Sequence, residues 1–109
     1  MDFNKYQELA RNTAIYPIIG APCIYPALGL AGEAGEVVEQ IKKIFRDDDG
    51  DITKERLDMI IKELGDTLWY IANLAHELNI PLDYIATTNI EKLSQRRNNN
   101  KLHGNGSNR

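Results

Sequence analysis

The sequence contains few residues of the kinds that form disulfides, zinc sites or membrane spans. Its single cysteine, Cys23, excludes a disulfide within the chain and is typical of a reducing compartment. The two histidines, His76 and His103, are too few for zinc sites and do not form the Glu-x-x-His pairs of di-iron bundles. No apolar run approaches the roughly 20 residues of a membrane span, and the N-terminus has no signal-peptide pattern. The composition therefore predicts a cytoplasmic protein that does not enter a membrane.

Positive charge is not in excess either. The 109 residues include 13 Lys and Arg against 16 Asp and Glu, a formal net charge of −3. The basic residues are interspersed with acids, so the charge pattern does not indicate nucleic-acid binding. A chain of this length supports one domain with a modest core. We expect that domain to span residues 1–97, followed by a polar, flexible tail over residues 98–109.

No segment has the sustained alternation of a β-strand, and helical periodicity accounts for most of the chain. The predicted helices span residues 2–15, 26–45, 54–78 and 81–97. Asp2 and Thr53 are the expected N-caps of the first and third helices. Prolines interrupt residues 16–26, which predicts an ordered but irregular connection. The predicted fold class is all-α, a four-helix, bundle-like domain.

Two pairs of acids lie within the second and third predicted helices. Glu33 and Glu36 are three residues apart, and Glu63 and Asp66 repeat this spacing. Residues three apart project from one helix face, so two adjacent helices would bring the four carboxylates together. Clustered carboxylates repel one another unless a cation lies between them, and oxygen ligands suit Mg²⁺ or Mn²⁺. The pairs predict a divalent-metal site, whereas any one of these acids alone would be assigned to the solvated surface.

Each pair also encloses a glycine, Gly35 in the first and Gly65 in the second. Glycine inside a helix costs roughly 1 kcal/mol relative to alanine. Its presence at the same place in both motifs predicts that the two helices approach closely there. The acid-rich residues 46–52 have no acid at the first or twelfth position of a calcium loop, which indicates a solvated turn.

Further candidates lie beyond the acids. Tyr70 is one turn after Asp66, where its ring could stack on a flat base, although such aromatics more often belong to a core or a subunit interface. Asn89, Lys92 and Arg96 share one face of the fourth helix. They could donate hydrogen bonds to a metal-bound polyphosphate, or form an ordinary solvated face.

Residues 28–36 (LGLAGEAGE) and 63–70 (ELGDTLWY) resemble the two motifs of the MazG-like all-α nucleoside triphosphate pyrophosphohydrolases. The resemblance continues through residues 89–93 and 103–109. It implies Mg²⁺-dependent cleavage of a (d)NTP between the α- and β-phosphates, which yields the monophosphate and pyrophosphate. Longer family members carry an additional Glu where this chain has Gly32, so the number of bound metal ions, one or two, is left open.

The resemblance also implies roles for individual residues. Asn89 and Lys92 would contact phosphate, and we add Arg96 from its helix face. The metal ligands and catalytic residues would be Glu33, Glu36, Glu63 and Asp66, with the role of general base open to one of them.

The sequence leaves two alternative functions open and also predicts an oligomer. A phosphoribosyl-ATP pyrophosphohydrolase would use the same scaffold on another nucleotide, and a non-catalytic helical dimerisation module would use the acids for solubility or protein contacts. The usual assembly of the family is a dimer or a dimer of dimers. Apolar residues such as Ile18, Ile19 and Trp69 exceed what one short chain can bury, so we expect a homodimer or homotetramer.

Overall fold

The structure is a computed structural model that describes residues 1–99, and in that range it contains four α-helices and no β-strand. The helices are α1 (Phe3–Arg11), α2 (Ile24–Asp47), α3 (Lys54–Glu77) and α4 (Leu82–Asn98). The prediction of an all-α fold is confirmed. α4 includes Asn98, the first residue of the predicted tail, and the rest of that tail from residue 100 lies outside the described residues.

Local chemistry sets several helix ends. The side chain of Asp2 accepts a hydrogen bond from the Lys5 amide at 2.7 Å, and that of Thr53 accepts one from the Arg56 amide at 3.1 Å, so both predicted N-caps are confirmed. α1 ends at Arg11, four residues earlier than the periodicity indicated, because residues 12–14 form successive turns. Periodicity alone does not distinguish such turns from a further helical turn.

α2 and α3 form an antiparallel hairpin. The Tyr70 ring lies against Gly29 near one end, and the Arg56 guanidinium donates to the Gln40 side chain at 2.9 Å near the other. Arg56 also donates to the carboxylate of Asp48 at 3.0 Å, which ties the turn between the helices to α3. The antiparallel register brings the acid-bearing segments of α2 and α3 side by side.

α1 and α4 pack against the C-terminal half of this hairpin. The Gln7 side chain donates to the carbonyls of Ala72 and Ile80 at 3.2 and 3.0 Å, and accepts from the Leu82 amide at 3.0 Å. One side chain therefore joins α1, the end of α3 and the start of α4. Within residues 1–99, α2 contacts neither α1 nor α4.

The buried core is small. It centres on Ala10, Ala72 and Leu82, and half-buried aromatic and aliphatic side chains pack around it. Several apolar side chains of α2 remain exposed, among them Val38 and Phe45, which are 67% and 72% exposed. None of the helices within the described residues combines the length and apolarity that crossing a bilayer requires.

Candidate metal centre

Three of the four predicted acids meet where α2 lies beside α3. One carboxylate oxygen each from Glu33, Glu63 and Asp66 lies within 4.8 Å of the other two. Glu63 and Asp66 are one turn apart on α3, and Glu33 faces them from α2 because of the antiparallel register. Glu36, one turn further along α2, is exposed and lies outside this group of three.

The electrostatics of the cluster favour a cation. Burial raises the pKa of Glu33, and the hydrogen bond with Glu63 and the charge of Asp66 raise it further. The charge of Glu36 acts in the same direction, so this fourth acid contributes to the field at Glu33. A divalent ion would relieve this repulsion, and the all-oxygen donor set suits Mg²⁺ or Mn²⁺. The residues present therefore fit a hard divalent cation.

The glycines of the two motifs have different surroundings from those expected. No atom outside the local backbone lies within 4 Å of the place a Cβ would take at Gly35 or Gly65. The prediction of close helix approach at these two positions is therefore wrong within one chain. The close approach occurs instead at Gly29, where a Cβ would overlap the ring of Tyr70. The missing side chain at Gly29 allows the Tyr70 ring to lie directly on α2.

Four aromatic side chains form a continuous row beside the acids, which we call the aromatic row: Tyr25, Tyr16, Trp69 and Tyr70. Tyr25 and Tyr16 stack with their ring centroids 5.5 Å apart, and the next two contacts are edge-to-face at 6.1 and 5.0 Å. Burial raises the pKa of Tyr70, as do the nearby Tyr25 hydroxyl and the Glu33 and Asp66 carboxylates. Tyr70 therefore connects the aromatic row to the acid cluster.

A polar network that the sequence did not reveal fixes Tyr16 and Trp69, the two middle rings of the row. Arg11 donates to the Tyr16 hydroxyl at 2.8 Å and to the Glu77 carboxylate at 2.5 Å, and the Tyr16 hydroxyl donates to Glu77 at 2.7 Å. The Trp69 indole N–H donates to the Thr13 hydroxyl at 2.8 Å. The aromatic and apolar content of residues 16–26 was the only sequence signal that this connection packs on the helices.

The predicted phosphate contacts lie elsewhere in the chain. Asn89 and Lys92 line an open groove along α4, and Asn89 also borders a second groove between α4 and α3. None of the four acids lines either groove. Arg96 is only 5% exposed, so in this structure it is not part of a solvated helix face. Tyr70 thus lies beside the acids, whereas Asn89 and Lys92 line grooves that the acids do not border.

Comparison with known proteins bears on this arrangement. The model of the MazG nucleotide pyrophosphohydrolase domain matches residues 26–100, a range that includes both acid pairs. The chain is 42% identical over 114 residues to the Gene 37 protein of Mycobacterium phage L5, and this similarity covers the full length of both chains. No solved structure gives a match.

Proposed function

The chain belongs to the MazG nucleotide pyrophosphohydrolase family, and from this premise we propose that it is a Mg²⁺-dependent enzyme that cleaves (d)NTPs into (d)NMPs and pyrophosphate. The observation that carries the proposal is the convergence of Glu33, Glu63 and Asp66 to within 4.8 Å. Carboxylate clusters of this kind hold the divalent ion on which phosphoryl chemistry depends. The clustered acids also lie within the residues that match the family.

The acids have separable roles in this proposal. Glu33, Glu63 and Asp66 would hold Mg²⁺, for which Mn²⁺ would be an effective substitute, and Glu36 is the fourth candidate ligand. When bound, the metal neutralises charge on the phosphate oxygens. If Glu36, which lies outside the group of three, does not ligate the metal, we assign its carboxylate as the general base that accepts the proton of the attacking water.

Substrate contacts beyond the metal come from two sides. Tyr70 would contact the nucleoside, because its ring lies between the acids and the rest of the aromatic row. Asn89 and Lys92 would contact the phosphates, with Arg96 as the weakest member of the set since it is buried. Asn89 and Lys92 line grooves that none of the four acids borders, and α4 of a second copy would bring these side chains to the acids most simply.

A homodimer or homotetramer is the assembly we propose. The Cα radius of gyration is 16.7 Å, larger than the roughly 13 Å expected of a compact domain of about 100 residues. Apolar side chains with at least two-fifths of their surface exposed line the hairpin: Val38, Ile41, Phe45, Leu57, Ile61 and Leu64. Burial of these side chains between subunits would account for both observations. The single free thiol agrees with the proposed cytoplasmic location.

A nucleotide panel tests the proposal. Purified protein is incubated with each (d)NTP and with phosphoribosyl-ATP, with Mg²⁺ or with EDTA, and released pyrophosphate is measured. We expect Mg²⁺-dependent release that Glu63→Gln abolishes and Glu55→Gln leaves unchanged, since Glu55 is an exposed acid in the first turn of the same helix. Equal activity in the two variants would remove the carboxylate cluster from the mechanism. A preference for phosphoribosyl-ATP would transfer the assignment to that activity.

A further inference from the structure

We propose that Tyr16 is a positioning residue for nucleoside binding: anchored by Arg11 and Glu77, it holds Trp69, which in turn holds Tyr70 against the nucleoside. The inference rests on the proposed function for the identity of the ligand. It adds a role for the connection between α1 and α2, where neither acid motif lies.

The anchor of Tyr16 joins the ends of two helices. Arg11 is the last residue of α1 and Glu77 the last of α3, and their charged groups meet on the Tyr16 hydroxyl. The side chains of Arg11 and Glu77 are 36% and 11% exposed. Hydrogen bonds to charged groups are stronger than neutral ones, especially where water is partly excluded. The Tyr16 ring is therefore held at a fixed place above α3.

The Tyr16 ring in turn contacts two other rings of the aromatic row. Its face stacks on Tyr25 with an interplanar angle of 6°, and Trp69 meets it edge-to-face at 84°. Trp69 is fixed at its indole nitrogen by Thr13, and its ring supports Tyr70 edge-to-face at 87°. Tyr70 is confined on another side by the α2 backbone at Gly29. Tyr16, Trp69 and Tyr70 thus each have at least two supports, and two of those of Trp69 come from Thr13 and Tyr16 in the connection.

The aromatic row is suited to bind a nucleoside rather than a phosphate group. Tyr70 is one turn from Asp66, so a triphosphate held at the acids would place its nucleoside within reach of the row. All four rings of the row are half-buried, which leaves part of their surface accessible. Arg11, which touches the row, is paired with Glu77 and so offers little charge to a phosphate. Flat aromatic surfaces bind bases by stacking.

A purely structural role for Tyr16 predicts a different outcome from a positioning role. If Tyr16 only fixes the connection between α1 and α2 to α3, its loss would lower stability. It would then weaken the binding of all ligands equally, or of none. If it positions Tyr70, its loss weakens ligands that carry a base and spares those that do not. Inorganic triphosphate, which has the phosphates without the nucleoside, separates the two.

The kinetic test uses Tyr16→Leu, which removes the ring, and Tyr16→Phe, which removes only the hydroxyl. For Tyr16→Leu we expect KM for the preferred (d)NTP to rise about tenfold, the size of one lost stacking contact, with kcat within about twofold. The inhibition constant of inorganic triphosphate should stay unchanged. Tyr16→Phe and Glu77→Gln should shift KM in the same direction by less, and Glu39→Gln, which breaks the remote pair with Lys42, should not. Equal shifts for nucleotide and inorganic triphosphate, or no shift, would overturn the inference.

A binding measurement keeps the inference independent of turnover. Trp69 is the only tryptophan, so intrinsic fluorescence reports on the row directly. A non-hydrolysable nucleotide with Mg²⁺ should change this fluorescence, inorganic triphosphate with Mg²⁺ should not, and Tyr16→Phe should weaken the nucleotide response. Such a response without any turnover would support the inference while refuting the proposed function. Turnover without a nucleotide-dependent response would overturn the inference and leave the function standing.

Discussion

Gly29 and Gly32 offer a sharp test of how Tyr70 is seated on α2. A Cβ at Gly29 would overlap the Tyr70 ring, whereas a Cβ at Gly32, less than one turn away, would meet nothing within 4 Å. Both Gly→Ala changes gain about 0.5–1 kcal/mol of helix propensity. This gain cancels in the comparison. The unfolding free energy of Gly29→Ala should therefore lie below that of Gly32→Ala by about 1–3 kcal/mol, the cost of overpacking.

The assay is reversible urea unfolding of both variants at equal protomer concentration, followed by circular dichroism. In thermal unfolding of a domain of this size, each kcal/mol of this difference would separate the two Tm values by roughly 4–8 °C. The double variant Gly29→Ala with Tyr70→Leu should recover part of the loss, because the overlap then disappears. Gly29→Ala should also raise KM for nucleotide, since the displaced ring leaves the site. A Gly29→Ala protein as stable as Gly32→Ala would refute the seating of Tyr70.

Three further predictions concern charge and assembly. The pKa of Glu33 is raised in the folded protein, so without metal this group makes folding less favourable as pH rises from its ordinary range through the raised pKa. Urea unfolding in EDTA should therefore show the stability of Glu33→Gln rising relative to that of the wild type as the pH increases above the ordinary range of a Glu carboxyl, and a constant difference would contradict this. Lys92→Ala should lower kcat/KM by roughly 2–4 kcal/mol of transition-state stabilisation. The Mg²⁺ affinity measured by calorimetry without nucleotide should not change. An unaltered kcat/KM would show that Lys92 does not contact the phosphates. Light scattering at micromolar concentration should show a dimer or tetramer, and particles of only 12.3 kDa would exclude both.

The features predicted correctly from sequence depend on short-range spacing. The N-caps Asp2 and Thr53 act within one turn of the chain, and three-residue spacing places Glu63 and Asp66 on one helix face. The meeting of these acids with Glu33 also required the second and third helices to lie side by side. The short turn between them makes that arrangement the expected one.

The features missed from sequence depend on contacts between distant parts of the chain. The aromatic row exists because Arg11 and Tyr16 meet Glu77, more than sixty residues away, and no local pattern encodes that meeting. Glycine alone does not indicate where helices approach closely. A Cβ at Gly29 would overlap the Tyr70 ring, whereas a Cβ at Gly35 would meet no atom within 4 Å.

Identification of the products tests the central claim most directly. Phosphorus NMR of the preferred (d)NTP, incubated with the protein and Mg²⁺, would follow each phosphorus atom through the reaction. The carboxylate cluster of α2 and α3, in a MazG-family chain, predicts equal amounts of nucleoside monophosphate and pyrophosphate, none with EDTA and none with Glu63→Gln. Formation of nucleoside diphosphate and orthophosphate, or product that persists in EDTA, would contradict the account.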